Sequence, residues 1–226
     1  MLWHQELPNW LTQGTWNRST LLPIMNNHIE KLITHFGDNC THWDVVNEAL
    51  SDSPTAANPW RTNIWNTAIG PDYVQLAFQK AAQVVANQSL AVKLYYNDYS
   101  IEWPGAKTTN AATLVRNLTA ANVRIDGVGM QSHFTIGGTP SIATMNQTIT
   151  TYTSQINSMG IAVEAALTEL DVRGTLPITD AQQIQQFNDY RTAVGGCVAN
   201  AGCVGMTLWD FDDTYSWVKY LAIDTC

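Results

Sequence analysis

Charge is scarce in this chain. Asp, Glu, Lys and Arg together make up 13% of its 226 residues, about half the ~25% share of an ordinary soluble domain. Basic residues are the scarcer sign, with 11 Lys and Arg against 19 Asp and Glu, a net charge of −8 and a pI near 4.9. Nucleic acid and anionic membrane surfaces both require a basic face, so neither is expected as a partner. Long apolar runs are also missing. No stretch approaches the ~18 residues of a membrane span, and Met1-Leu2-Trp3-His4 has neither the basic nor the apolar region of a signal peptide. Cysteine is limited to four residues, in a spacing that matches no zinc or redox motif. Cys197 and Cys203 are near enough to close a small loop between a helix end and a strand start, which fits an oxidising compartment. Cys40 and Cys226 have no evident partner. Without a metal-ligand cluster or a glycine-rich phosphate loop, no cofactor is expected.

What the chain does have is apolar bulk and uncharged polarity. Hydrophobic residues reach 45%, nine of them Trp, enough for one domain with a sizeable core. Asn, Thr and Gln fill the surface-like stretches, a mix suited to a secreted protein facing neutral sugar polymers. Sequons begin at Asn17, Asn39, Asn87, Asn117 and Asn146, a pattern with meaning in the secretory pathway.

Strand-like and helix-like stretches alternate. Asn26 to Phe36 carries Ile29, Leu32, Ile33 and Phe36 at helical spacing, with Gly37 as a stop. Trp43 to Val46 reads as a strand, followed by a long loop through Pro54, Pro59 and Trp60. A helix opens at Pro71-Asp72 and runs to Val85, the next strand spans Val92 to Asn97, and another helix runs from Pro104-Gly105 to near Asn122. Strands at Ile125 to Gln131, at the run ending in Glu169 and at Val204 to Trp209 alternate with helices over Pro140 to Met159 and Thr179 to about Val194. Such alternation predicts parallel β/α units. Met1 to Trp3 looks like the end of one more strand. That makes five clear strands and a fragment, where a closed barrel has eight.

Two of these strands end on an acid. Trp43-Asp44-Val45-Val46 delivers Asn47 and Glu48 at its exit, and Ile161 to Asp171 delivers Glu169. Strand ends of a β/α barrel open on one face, so glutamates 121 residues apart in sequence (169 − 48) can converge there. A pair of carboxyl groups about 5 to 5.5 Å apart is the arrangement of a retaining glycosidase, one attacking the anomeric carbon while the other moves the proton.

The segments Trp43 to Leu50, Leu94 to Tyr99, Ile125 to His133, Thr168 to Asp171 and Trp209 to Trp217 resemble, in order, the signatures of glycoside hydrolase family 10, the endo-β-1,4-xylanases. Trp209-Asp210-Phe211 and the Cys197/Cys203 pair, the latter implying a disulfide, resemble fungal members. The resemblance implies a TIM (β/α)8 barrel of the α/β class, incomplete here, with the first two strands, most of the third and the last helix outside the chain. Residues 1–226 are then one partial catalytic domain, secreted and acting as a monomer if it folds, with xylan or xylo-oligosaccharides as substrate. The activity implied is hydrolysis of internal β-1,4-xylosidic bonds with retention, Glu169 as nucleophile and Glu48 as acid and base. His133 and Asp171 would hydrogen-bond around Glu169, Asn47 would donate to the sugar 2-hydroxyl, and Gln131 would contact the nucleophile side. Trp3, Trp209 and Trp217 would wall the sugar cleft, with Tyr96 and Asn97 on the leaving-group side. Glu6 stands where the family usually has Gln, and Val218 where Arg is common after Trp217. Competing readings are a related barrel acting on cellulose or mannan, and a non-catalytic sugar-binding fragment.

Overall fold

The computed structural model describes residues 1–55 and 58–220, and among them the apolar runs become parallel strands. β1 (His42–Asn47), β2 (Lys93–Asp98), β3 (Gly127–Met130), β4 (His133–Thr135), β5 (Glu164–Arg173) and β6 (Cys203–Leu208) form one sheet. Its order is β1-β2-β3-β5, with β6 on the far side of β5 and β4 continuing the line of β3 along the second half of β5. Met1 to Trp3 extends the sheet beyond β1, since Leu2 donates to Val45 and accepts from Asn47 at 3.0 and 2.8 Å. These strands and the helices between them make an incomplete TIM barrel.

The helices are α1 (Asn9–Thr12), α2 (Arg18–Phe36), α3 (Ile64–Ile69), α4 (Tyr73–Asn87), α5 (Ala106–Ala120), α6 (Ile142–Thr153) and α7 (Asp180–Val198). Every strand is followed by a loop at its carboxyl end, and those loops carry the polar groups. Core side chains such as Ile29, Phe78, Leu94, Val128, Ile149 and Leu167 fill the layer between sheet and helices. Trp65 is buried there, while Trp16, Trp43, Trp60 and Trp103 are half-buried against it.

The boundaries depart from the sequence reading where capping and backbone sign decide them. α2 starts at Arg18, eight residues before Asn26, because Asn17 and Thr20 close a capping box ahead of Pro23. α6 ends at Thr153, well short of Met159. There the chain leaves the helix for a turn at Gly160 (φ 78°) that brings Ile156 opposite Ala162. The expected strand at Ile125 to Gln131 is a short strand, then a bend at Ser132 (φ 63°), then the unforeseen β4.

The expected disulfide joins Cys197 to Cys203, tying the last turn of α7 to the start of β6 across 5.3 Å between Cα atoms. Cys40 is a free thiol, and Cys226 lies outside the described residues. No helix among the described residues is long and apolar enough to cross a membrane.

β6 pairs only with β5 among the described residues, and Val204 and Leu208 are 55% and 64% exposed. Ile184 and Phe187 of α7 are exposed as well. An uncovered apolar edge is a template for association. The chain produced alone is expected to bind anilinonaphthalene sulfonate, and Val204→Lys with Leu208→Lys to lower that signal by about half or more. Unchanged dye fluorescence would contradict this assignment of the exposed surface.

Candidate active site

Glu48 leaves β1 in the left-handed region (φ 57°), uncommon for a residue with a side chain. Its main chain is held on both sides: the N–H donates to Asn97 O at 2.9 Å, and the carbonyl accepts from Arg61 Nε at 3.0 Å. This turn points the carboxyl group back over the strand ends. Gln131 Nε2 donates to Glu48 Oε1 at 2.9 Å and to Asn47 Oδ1 at 3.1 Å, and Asn47 Nδ2 lies 3.3 Å from Glu48 Oε1. His4 Nδ1 approaches Glu48 Oε2 at 3.7 Å. Burial, then the nearby Arg61 charge, lowers the pKa of that imidazole, so His4 stays neutral at pH 7.

Glu169 is reached from the other side. Asn97 Nδ2 donates to Glu169 Oε1 at 2.8 Å and to Asn47 Oδ1 at 3.0 Å, while Asn97 Oδ1 accepts from Thr168 Oγ1 at 2.6 Å. Both amide hydrogens and the carbonyl of Asn97 are thereby used, which fixes which way the carboxamide faces. The fit is close on the far side too, since a Cβ on Gly129 of β3 would collide with that carboxamide. His133 Nε2 meets Glu169 Oε2 at 3.1 Å, and its Nδ1 lies 3.0 Å from Asp171 Oδ2, which also accepts from Trp217 Nε1 at 2.8 Å. Burial alone would lower the His133 pKa. The bonds to Asp171 and Glu169 outweigh it and push the imidazole up to about 9, so it is a cation at neutral pH.

These contacts form one connected network, running from Glu48 through Gln131, Asn47 and Asn97 to Glu169, then through His133 to Asp171 and Trp217. Above it opens a cleft of about 660 Å³ walled by Trp3, Trp209 and Trp217, with Glu48, Gln131, His133 and Glu169 on its floor. Nine of the residues singled out from sequence thus come together: Glu48, Glu169, Trp3, Gln131, His133, Trp209 and Trp217 at the cleft, and Asn47 and Asn97 just beneath. Asp171 stands behind His133 as expected. Gln131 meets both sides: its backbone carbonyl accepts from the Glu169 N–H at 3.0 Å, while its side-chain amide bonds Glu48. Glu6 is among the residues that line the cleft.

Tyr96 is a correction. Successive side chains of a strand face opposite sides, so Asn97 turns into the barrel while Tyr96 turns outward with Leu94 and Asp98. It is fully buried among the helices, and its hydroxyl bonds Asp98, which is itself paired with Lys107 of α5 at 2.9 Å. The tyrosine that does line the cleft is Tyr99, whose hydroxyl bonds Arg61 Nη2 and Asp52 Oδ2, each at 2.6 Å. Tyr99 sits in the same Leu94 to Tyr99 motif, three residues beyond Tyr96, where the strand has ended and the chain turns over the cleft. Ser100 and Arg173 also line it. Arg61 comes from the long loop and has no local sequence signal at all.

The family model for glycosyl hydrolase family 10 matches residues 1–225. Endo-1,4-beta-xylanase D of Talaromyces funiculosus is 45% identical over 218 residues, covering 96% of this chain and 50% of that protein. Endo-1,4-beta-xylanase 1 of Humicola insolens is 41% identical over 219 residues, covering 96% and 48%. The chain therefore spans about half the length of the curated relatives it matches. Among solved structures, the GH10 xylanase from Bispora sp. MEY-1 with xylobiose superposes with a TM-score of 0.90 at 48% identity, covering 97% of this chain and 64% of that one. The Penicillium canescens endo-1,4-beta-xylanase XylE gives 0.88 at 42% identity, with the same coverage. With its incomplete barrel, its two strand-end glutamates in one cleft and a family match over nearly its whole length, the chain belongs to glycosyl hydrolase family 10.

Proposed function

We propose that the protein cleaves internal β-1,4-xylosidic bonds of xylan with retention of configuration, Glu169 acting as nucleophile and Glu48 as acid and then base. The observation that carries this reading is the unbroken line of hydrogen bonds joining the two carboxyl groups beneath one aromatic-walled cleft. The xylobiose that accompanies the similar Bispora xylanase, and the xylanase names of the relatives, favour xylan as substrate.

The two carboxyl groups have different surroundings, and the difference sorts their roles. Glu169 faces the His133 cation and an amide donor, an environment that stabilises negative charge. It attacks the anomeric carbon, forming a glycosyl ester as the glycosidic C–O bond breaks. Glu48 has amide donors and a neutral imidazole but no cation in bonding reach among the described residues. It hands its proton to the departing oxygen, then takes one from the water that cleaves the ester. Asn47 donates to the sugar 2-hydroxyl, a bond that strengthens in the transition state. Trp3, Trp209 and Trp217 stack on the C–H faces of the pyranose rings. All of these groups come from one chain, so turnover needs no second copy.

Secretion as a glycoprotein is part of the proposal. The Cys197–Cys203 disulfide supports it, and Asn17, Asn39, Asn87 and Asn117 are exposed sequons. Asn146 is half-buried and bonded to Asn200, a poorer acceptor.

Glu169→Ala is expected to abolish release of reducing sugar from xylan, and azide to restore turnover through an α-glycosyl azide. Normal hydrolysis by that variant would refute the assignment. With xylohexaose, binding and cleavage are scored separately: binding without cleavage would favour a sugar-binding fragment, and faster release from carboxymethyl cellulose than from xylan would favour a cellulase. The raised pKa of His133 makes a second prediction. The folded chain holds this proton more tightly than the unfolded one, so the stabilisation is complete below about 6.5 and is lost as pH rises through about 9. Urea midpoints are expected to fall across that window, and His133→Asn to flatten the fall. A wild-type midpoint that rises from pH 6.5 to 9 would contradict it.

A further inference from the structure

Ser132 is the hinge of the site. It is fully buried, it holds a left-handed backbone (φ 63°), and its two neighbours in sequence are Gln131, bonded to Glu48, and His133, bonded to Glu169. The sheet continues on either side of it: Glu169 N–H donates to Gln131 O at 3.0 Å, and β4 resumes pairing at His133 with Asp171. The Ser132 N–H turns out of the sheet and donates to Glu102 Oε1 at 2.7 Å.

Among the described residues the Glu102 carboxyl group meets only the main-chain N–H groups of Ser132 and of Glu102 itself. It lies in the loop between β2 and α5, is 1% exposed, takes part in no ion pair, and its Oε2 is sealed from solvent without a hydrogen-bond partner among the described residues. Burial pushes its pKa up to about 7 against the backbone N–H groups of Ser132 and Glu102 itself, Asp98 raising it further and the His133 cation lowering it. Keeping a carboxyl group dry for main-chain N–H groups alone is unfavourable, so the bond that reaches another segment, to Ser132, is where its role lies. The loop that carries it is anchored independently: Tyr152 of α6 donates to Ile101 O at 3.0 Å, and the Trp103 ring packs edge-on against Phe134 of β4 at 5.4 Å.

We propose that Glu102 is a positioning residue of this site: its carboxyl oxygen fixes the left-handed bend at Ser132, and the bend aims Gln131 at Glu48 and His133 at Glu169. The kinetic consequence rests on the hydrolase reading, while the geometry itself does not. Glu102 touches neither substrate nor reacting carboxyl group. It acts by preventing the chain at Ser132 from relaxing to a straight strand, where both neighbouring side chains would swing off their partners.

The test compares Glu102→Gln, Glu102→Leu and Glu102→Leu with Ser132→Gly in the full chain, read by NMR titration of the His133 ring and by kcat and KM on xylohexaose. Glutamine keeps a carbonyl acceptor for the Ser132 N–H and is expected to leave His133 titrating near 9. Leucine removes the acceptor, so the His133 titration is expected to fall toward 6.5. The same variant is expected to lower kcat on the order of 100-fold with KM within about twofold, the signature of misplacement rather than lost binding. Ser132→Gly in the leucine background is expected to restore at least part of both, because glycine adopts φ > 0 unaided. A leucine variant with unshifted His133 and full kcat, or a glycine that restores nothing, overturns the proposal. Should the leucine variant not fold, Glu102→Asp, which withdraws the acceptor by one methylene, must move His133 in the same direction for the proposal to stand. A wild-type chain that cleaves no xylohexaose would defeat the hydrolase reading and leave the His133 titration to decide the role of Glu102.

Discussion

Two carboxyl groups at the floor of one cleft have to be given fixed hydrogen-bond donors, and here one carboxamide mediates between them. Asn97 divides its two N–H bonds between Glu169 and Asn47, and its carbonyl is occupied by Thr168. The constraint is directional as well as energetic. A side-chain amide with all its capacity used cannot rotate without leaving a buried polar atom unpaired, which costs about 1–3 kcal/mol. The placement of Glu169 and, through Asn47 and Gln131, of Glu48 therefore depends on the register of β2 against β3, where Asn97 lies opposite Gly129. The absence of a side chain on Gly129 is what leaves room for the carboxamide. Helix α4 packs on β1 and β2 outside the sheet, and Lys107 of α5 pairs with Asp98 at the end of β2, so the site draws part of its geometry from elements that carry none of its chemistry.

Charge is organised around the same line. The His133 imidazolium sits between two carboxylates, Glu169 and Asp171, and Trp217 closes the far end with its indole N–H. On the Glu48 side the nearest ring, His4, is neutral, and the positive charge of Arg61 is directed to the backbone carbonyl and to Asp52 and not to the carboxyl group. Glu48 and Glu169 are thus chemically alike and set in unlike surroundings, which suits the proposed division of proton and nucleophile duties.

Much of this was legible in residue order, and the failures have a common cause. The strands at Trp43, Leu94 and Ala165 could be found because buried parallel strands are continuous apolar runs, and the acids at their exits stood out against them. Residue order shows adjacency but not facing. Tyr96 and Asn97 look like one feature in a sequence and lie on opposite sides of the sheet in space. α2 begins early because of the Asn17 and Thr20 cap, a short-range hydrogen-bond pattern masked by the Pro23 that follows it. β4 is three residues long and depends on a bend that no composition signals. Arg61, His4 and Glu102 act across gaps of 13, 44 and 30 residues, through loops whose course the periodicity of the chain does not encode.

The segment carrying Trp3 supplies one wall of the cleft, and it meets β1 through two strand-type bonds at Leu2 and the Met1 amino group on the Asp44 carbonyl, with a further tie from the Trp65 indole to the Trp3 carbonyl. On the proposed reading, a sugar ring resting on the Trp3 face presses that segment against β1, so occupancy of the groove and docking of the segment share a free energy. By reciprocity, whatever tightens the seam at Leu2 raises affinity for a ligand at that end of the groove, and whatever loosens it lowers that affinity by an equal factor.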